Sequence, residues 1–294
     1  MSERLTITAY STALFSTWIF VDPWGLLLDA GDGVCAGLLS KARKIKKVAI
    51  THADRDHLTG LLQLQQLNAR DGIPDILYPK DCGSFPALRE FLEKFDPDTG
   101  GKLTWTPVWP GQVVEFGKDL RIQVVESRHL PETGEQVKCV GYKVVRSTRK
   151  LRPEFQGVAQ EDLARMGRER GSASLTFEVE SPVLGYAGDT TVGHPEPWAR
   201  CQVLIHEATF LNHQDAGDQV HRRNQHSVLS DVLAMARDAN PGTLILNHFS
   251  SRYEKKEIVE AVKNGAREFG LNMPVHVIPP GEVVRDILGS EAFG

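Results

Sequence analysis

From its first residues the chain alternates short apolar runs with polar turns. LTIT (5–8), TWIFV (17–21) and GLLLDAGDG (25–33) read as strands opening a sheet, the last closing in a Gly/Asp turn. KKVAIT (46–51) leads through the polar THADRDHLTG into LLQLQQLNA, whose spacing is helical, so strand, loop and helix follow in order. Strand-like runs recur at ILYP (76–79), LTWTPV (103–108), LRIQVVES (120–127), KCVGYKVV (138–145), SLTFEVE (174–180), VLGYAG (183–188), CQVLIH (201–206) and GTLILN (242–247). Helical periodicity covers FPALREFLEKF (85–95), HSVLSDVLAMARDA (226–239) and KKEIVEAVKNGAREFG (255–270). About a dozen strands interleaved with helices, without a Pro/Gly/Ser-rich linker, predict one α/β domain built on more than one sheet.

Residues 146–171, RSTRKLRPEFQGVAQEDLARMGRERG, break this rhythm: seven Arg/Lys stand there against four acids. The segment reads either as solvated surface or as a basic arm for an anionic polymer. Composition narrows the classes further. At 294 residues and 41% hydrophobic the chain is neither disordered nor fibrous, and a net charge of -4 excludes nucleic-acid binding by bulk charge. Any such contact must come from a local patch. Cys35, Cys82, Cys139 and Cys201 are far apart with no C-x-x-C, which argues against a zinc ribbon or redox pair and fits a reduced cytoplasmic setting. MSERLTITAY lacks a basic start followed by a long apolar stretch, and no run approaches ~20 apolar residues, so the chain is expected to be soluble and unexported.

Four strand-like runs each end at a potential metal ligand: VAIT at His52, IQVVESR at His129, VLGYAG at Asp189 and LILN at His248. Loops that follow strands on one sheet edge converge in space, so these ligands are expected to share a pocket. The first loop also packs His52, Asp54, Asp56 and His57 into six residues. Buried together without cations they would carry a high desolvation penalty, and such density suits two ions better than one. Two cations would make water a nucleophile at neutral pH without Ser or Cys.

The loop resembles the H-x-H-x-D-H signature of the metallo-β-lactamase superfamily. LLLDAGDG, THADRDHLTG, His129 with Gly141-Tyr142, YAGDTT (186–191), IHEATF (205–210), His226-Ser227 and NHFSSRY (247–253) together resemble its ribonuclease Z branch. The resemblance spans nearly the whole chain. It implies an αβ/βα four-layer sandwich over residues 1–294, with 146–171 as a short basic arm insertion. It also implies one metal at His52, Asp54, His129 and Asp189 and a second at Asp56, His57, Asp189 and His248, zinc foremost. Asp56 would orient or deprotonate the attacking water, and Glu207 with His226 would protonate the leaving oxygen, although a hydrogen bond at a helix start is the plainer alternative for that pair. A homodimer acting on RNA or tRNA 3′ ends follows from the same resemblance.

Two departures change the picture. Asp54 stands where the family usually has His; with Asp56, Asp189 and a hydroxide it brings the formal charge of the centre from about +1 to about zero. A hard oxygen ligand there makes manganese or iron more competitive with zinc, or Asp54 does not reach the metal at all. The family's long arm with a glycine/proline-rich tip is also missing between Gly141 and Gly188. A hydrolase of a small ester, lactone or cyclic phosphodiester is therefore the alternative substrate reading, and a non-catalytic metal-binding scaffold the third. His206 is expected to be structural, and His194, His213, His221 and His276 ordinary surface or loop residues. Ser250, Ser251 and Arg252 either bind a phosphate oxygen or cap a helix.

Overall fold

The computed structural model describes residues 5–130, 136–217 and 224–293. Its first half forms a six-stranded sheet in sequence order: β1 (Ile7–Thr12), β2 (Ser16–Val21), β3 (Leu26–Ala30), β4 (Lys47–Ala49), β5 (Asp75–Pro79) and β6 (Thr104–Val108). The β1–β2–β3 meander is antiparallel, and β3 to β6 run parallel through helical crossovers. The second sheet holds β7 (Val113–Phe116), β8 (Leu120–Glu126), β9 (Val140–Leu151), β10 (Thr176–Tyr186), β11 (Val203–Glu207), β12 (Leu244–Asn247) and β13 (Val275–Val277). Its order is the reverse of the sequence, β13 to β7; β13 to β10 run parallel, and β10 to β7 antiparallel.

Side chains that alternate along each strand build the layers. Leu26 and Leu28 enter a core shared with Tyr142, Tyr186, Ile205 and Ile245 of the other sheet, whereas Leu27 turns to the opposite face. There it packs with Phe20, Val48 and Ile76 beneath the helices Val34–Leu38, Leu61–Asn68 and Ser84–Phe95. In the second sheet Leu204 and Leu246 face Val232, Leu233, Ile258 and Val262 of the helices Leu229–Ala239 and Lys255–Glu268. Helices, sheet, sheet and helices follow in that order, the expected αβ/βα sandwich. Strands buried on both faces read as continuous apolar runs, as LLL and LIL do.

Four strands differ from the sequence reading. SLTFEVE and VLGYAG form one strand, β10, whose register shifts between Pro182 and Leu184, a bulge that accommodates the missing amide hydrogen of proline. Residues 146–151 extend β9 and pair with 176–181, so the basic segment begins as a β-ribbon and ends in the helices Gln160–Arg170 and Ser172–Leu175. The strands β7 and β13 were not foreseen; four and three residues leave little pattern to detect. Among the described residues no helix is long and apolar enough to cross a membrane.

Candidate metal centre and proton donor

The loops after β4, β8, β10, β11 and β12 leave the same edge of the sandwich, and there the structure gathers the expected ligands. The Asp189 Oδ2 is 3.2 Å from the His248 Nε2, 3.3 Å from the His57 Nε2 and 3.8 Å from the His52 Nε2. The Asp56 Oδ2 is 3.6 Å from both the His57 and the His248 Nε2. On the other side, the Asp54 Oδ2 lies 3.4 Å from the His129 Nε2 and 3.8 Å from the His52 Nε2. The geometry thus separates into His52, Asp54 and His129 on one side and Asp56, His57 and His248 on the other, with Asp189 between them.

Each imidazole is held by its other nitrogen. His57 donates from Nδ1 to the Asp29 Oδ2 at 2.8 Å, and His129 to the Gln225 carbonyl at 2.8 Å. His52 donates to the Thr51 hydroxyl at 2.9 Å, which donates on to Asp29, and His248 to the Thr209 hydroxyl at 3.0 Å, which donates to Glu207 at 2.6 Å. This network places a proton on Nδ1 in all four rings and turns the Nε2 atoms inward, where a bound cation would take the place of any second proton. The Nε2 atoms of His52, His57 and His248 are buried without a hydrogen-bond partner. Orphaned polar atoms of this kind are costly unless something coordinates them, so the donor set fits divalent cations.

Electrostatics fit ionised carboxylates and a neutral His52, whereas at His57 burial is outweighed by the carboxylates of Asp189 and Asp29, which hold the ring well above its ordinary value, a charge that a cation would replace. Burial alone would raise the Asp189 carboxyl, but the imidazoles of His248, His57 and His52 hold it well below the usual carboxylate range. Asp56 is likewise depressed against its burial by His248 and His57. Burial, with His57 and His129 alongside, pushes His52 well below its ordinary value and keeps it neutral, the form that binds metal. Asp54 also receives a hydrogen bond from the Asn224 side-chain amide.

Backbone shape is part of the construction. His248 adopts φ 60°, a left-handed conformation uncommon for a non-glycine residue, and the Ser11 hydroxyl fixes its amide at 3.0 Å. Gly188, just before Asp189, has φ 64°, and a Cβ there would lie 2.7 Å from the Thr51 Cγ2. Only glycine lets β10 deliver Asp189 so close to the first loop.

Beside the ligands, His226 donates from Nδ1 to the Glu207 Oε1 at 3.0 Å. Glu207 is fully buried and also accepts from the backbone amides of Thr190, Thr209 and Ser227 at 2.9, 3.1 and 3.1 Å. Burial would raise its carboxyl, yet the His226 charge and hydrogen bond bring it below the ordinary value. Burial would lower His226, but Glu207 outweighs it and lifts the imidazole to about 9. Glu207 accepts both from the His226 ring and from the amide of Ser227, which stands next to the N-cap Val228 of the helix Leu229–Ala239.

Other expectations fare unevenly. His206 is buried and donates to the Glu207 carbonyl at 2.8 Å, a structural role. His276, expected at the surface, is buried on β13 beside the Ser290 hydroxyl, because that short strand was not foreseen. His194 and His213 are exposed, and His221 lies outside the described residues. The helix after NHFSSRY is capped at Glu254, so Ser250 and Ser251 do not cap it; Arg252 instead donates to the Ser250 hydroxyl at 3.1 Å. Sequence reasoning gave no role to Asp29, Thr209, Ser11 or Asn224. For Asp29 a signal existed: a carboxylate inside LLLDAG must be buried, and a buried charge needs partners.

The fold and this site define a metal-dependent hydrolase of the β-lactamase superfamily, and residues 17–152 match the model of the Beta-lactamase superfamily domain. The chain is 30% identical to Ribonuclease Z of Pyrobaculum neutrophilum over 83% of its own length and 85% of that protein. It is also 30% identical to Ribonuclease Z of Ignicoccus hospitalis, over 78% and 80% of the two chains. The chain belongs to the ribonuclease Z family. Among solved structures, the short form of human tRNase Z superposes with a TM-score of 0.60 at 18% identity, covering 96% of this chain and 99% of that one. A metallo-beta-lactamase fold protein from Bacillus subtilis gives 0.62 at 17% identity, covering 96% and 100%.

Proposed function

We propose that the chain is a binuclear metal-dependent endoribonuclease that cleaves a phosphodiester at RNA 3′ ends, with precursor tRNA as substrate. The observation that carries this is the Glu207–His226 pair beside seven convergent ligand side chains: a nuclease must protonate a leaving alkoxide, and His226 is built to do so. His52, Asp54, His129 and Asp189 would hold one cation, and Asp56, His57, Asp189 and His248 the other. Bound there, two divalent ions supply an activated water and neutralise phosphoryl charge. Asp56 orients the attacking water at the edge of the cleft. His226, kept protonated by Glu207, gives the proton at its Nε2 to the leaving oxygen. Thr209, Thr51 and Asp29 hold the rings so that little rearranges during the reaction.

Zinc is the leading metal, and the oxygen ligand at Asp54 admits manganese or iron. The exposed Arg149, Lys150, Arg152 and Arg168 of the 146–171 ribbon and helix give the single-domain enzyme its RNA-gripping arm, shorter than the family's. A cytoplasmic homodimer completes this reading. The test supplies protein reloaded with zinc, manganese or iron with bis(p-nitrophenyl) phosphate and a precursor tRNA over a pH series. Cleavage of the precursor at its 3′ side supports the assignment, and no cleavage of either substrate refutes it.

A further inference from the structure

We propose that the β1–β2 turn, Ala13–Phe15, is a base-stacking platform beside the metal centre, with Phe15 the side chain on which a base flanking the scissile phosphate lies. This rests on the reading of the chain as an RNA hydrolase and adds a substrate-binding residue to it.

The turn is tied to the site through Ala13 and Leu14. The Leu14 amide donates to the Asp56 Oδ2 at 3.1 Å, and the Ala13 amide to the carbonyl of Phe249, neighbour of His248, at 3.2 Å. The Phe15 amide closes the turn on the Thr12 carbonyl at 3.0 Å, and the Ser16 hydroxyl donates to the Asp32 carbonyl at 2.7 Å. Leu14 has φ 71°, a conformation an L side chain adopts only where its surroundings enforce it. A turn tethered in this way fixes the backbone positions from which Leu14 and Phe15 project.

What that turn presents is apolar. Leu14 is 85% exposed and Phe15 62% exposed, although Thr12, Ala13 and Ser16 around them are buried. Single exposed apolar residues are ordinary, but an adjacent pair on a tethered tip beside the metal centre is, among the described residues, an unpartnered surface. Chain geometry places the Phe15 Cα within about 9 Å of the Asp56 carboxylate. A group resting on Phe15 would lie within reach of the metal centre, which favours the substrate itself as the occupant. In RNA the flat apolar group carried one ribose away from a phosphate is a base, and aromatic stacking accepts any of the four.

The test uses metal-free protein and a precursor tRNA carrying 2-aminopurine on either side of the bond the wild type cleaves. Wild type and F15W should quench one of the two probes; F15A should not, and its Kd should rise about five- to a hundredfold. In single-turnover cleavage by the loaded enzyme, the F15A defect should vanish when that base is replaced by an abasic site. Matching thermal melts keep the comparison free of folding effects. Equal quenching and binding by F15A overturns the proposal, as does a defect that persists on the abasic substrate. Loss of self-association in F15A with unchanged RNA binding would assign the tip to a second copy and overturn it too. If the wild type leaves the precursor uncleaved, the functional reading fails instead.

Discussion

The Nδ1 of His226 and the Oε1 of Glu207 are 3.0 Å apart, and three backbone amides immobilise that carboxylate. The folded pKa of His226 lies above its ordinary value, so the protonated form persists at neutral pH and is lost as pH rises through about 9. The kcat profile should carry an alkaline limb at or below about 9, because cations next to Asp189 oppose the imidazolium charge. His226→Ala should remove that limb and lower kcat by about 10²–10⁴. Glu207→Gln should move it to lower pH. A limb unchanged in both variants would remove His226 from proton transfer.

Asp29 is fully buried and accepts from the His57 ring, the Thr51 amide and hydroxyl, and the Tyr186 hydroxyl at 2.6 Å. It touches no substrate, yet two ligand rings take their orientation from it. Asp29→Asn should weaken zinc affinity about 10–100-fold, measured by competition with a chelating indicator. Tyr186→Phe, which removes one donor, should cost about 1 kcal/mol of stability in denaturant melts. Equal zinc affinity in Asp29→Asn would make Asp29 a purely structural residue.

Asp54 reaches the first group of ligands, shared between His129 and Asn224. Asp54→His should tighten zinc binding and raise phosphodiester cleavage, since it restores positive charge to the centre. Asn224→Ala, which frees the carboxylate, should change metal preference without abolishing binding. Lower activity in Asp54→His with zinc would mean the pocket is built around the acid.

Substrate size is read from salt. Replacing Arg149, Lys150, Arg152 and Arg168 by Ala should weaken binding of precursor tRNA and flatten its log–log salt slope by up to about one unit per lost phosphate contact. Hydrolysis of bis(p-nitrophenyl) phosphate should barely respond. A salt-independent affinity for the tRNA would assign the ribbon no role in binding.

Much of this was legible in the chain, and the reasons differ by element. The buried parallel strands announced themselves as apolar runs, and His52, His129, Asp189 and His248 were conspicuous because each ended one. Of the ribbon, 176–181 was largely legible in SLTFEVE, but 146–151 was not, since both of its faces meet solvent and no hydrophobic period marks it. There Glu178 and Glu180 bind Arg121 at 2.9 and 3.0 Å, a pairing across more than fifty residues that no local pattern encodes. Ser11, Thr209 and Asn224 are small polar residues brought to the site only by the completed fold. The Asp54 question needed geometry, because a loop's spacing does not say which way a carboxylate turns.

Among the described residues Asp189 is the one carboxylate that faces candidate ligands of both groups, so it should join two ions. The most direct measurement is metal content per chain by elemental analysis after reloading and dialysis, in the wild type and in Asp189→Ala. Two ions in the wild type, falling to one or none in the variant with at least about a hundredfold loss of turnover, is the expected result. Two ions and undiminished turnover without Asp189 would contradict a shared centre, as would a wild type that holds none.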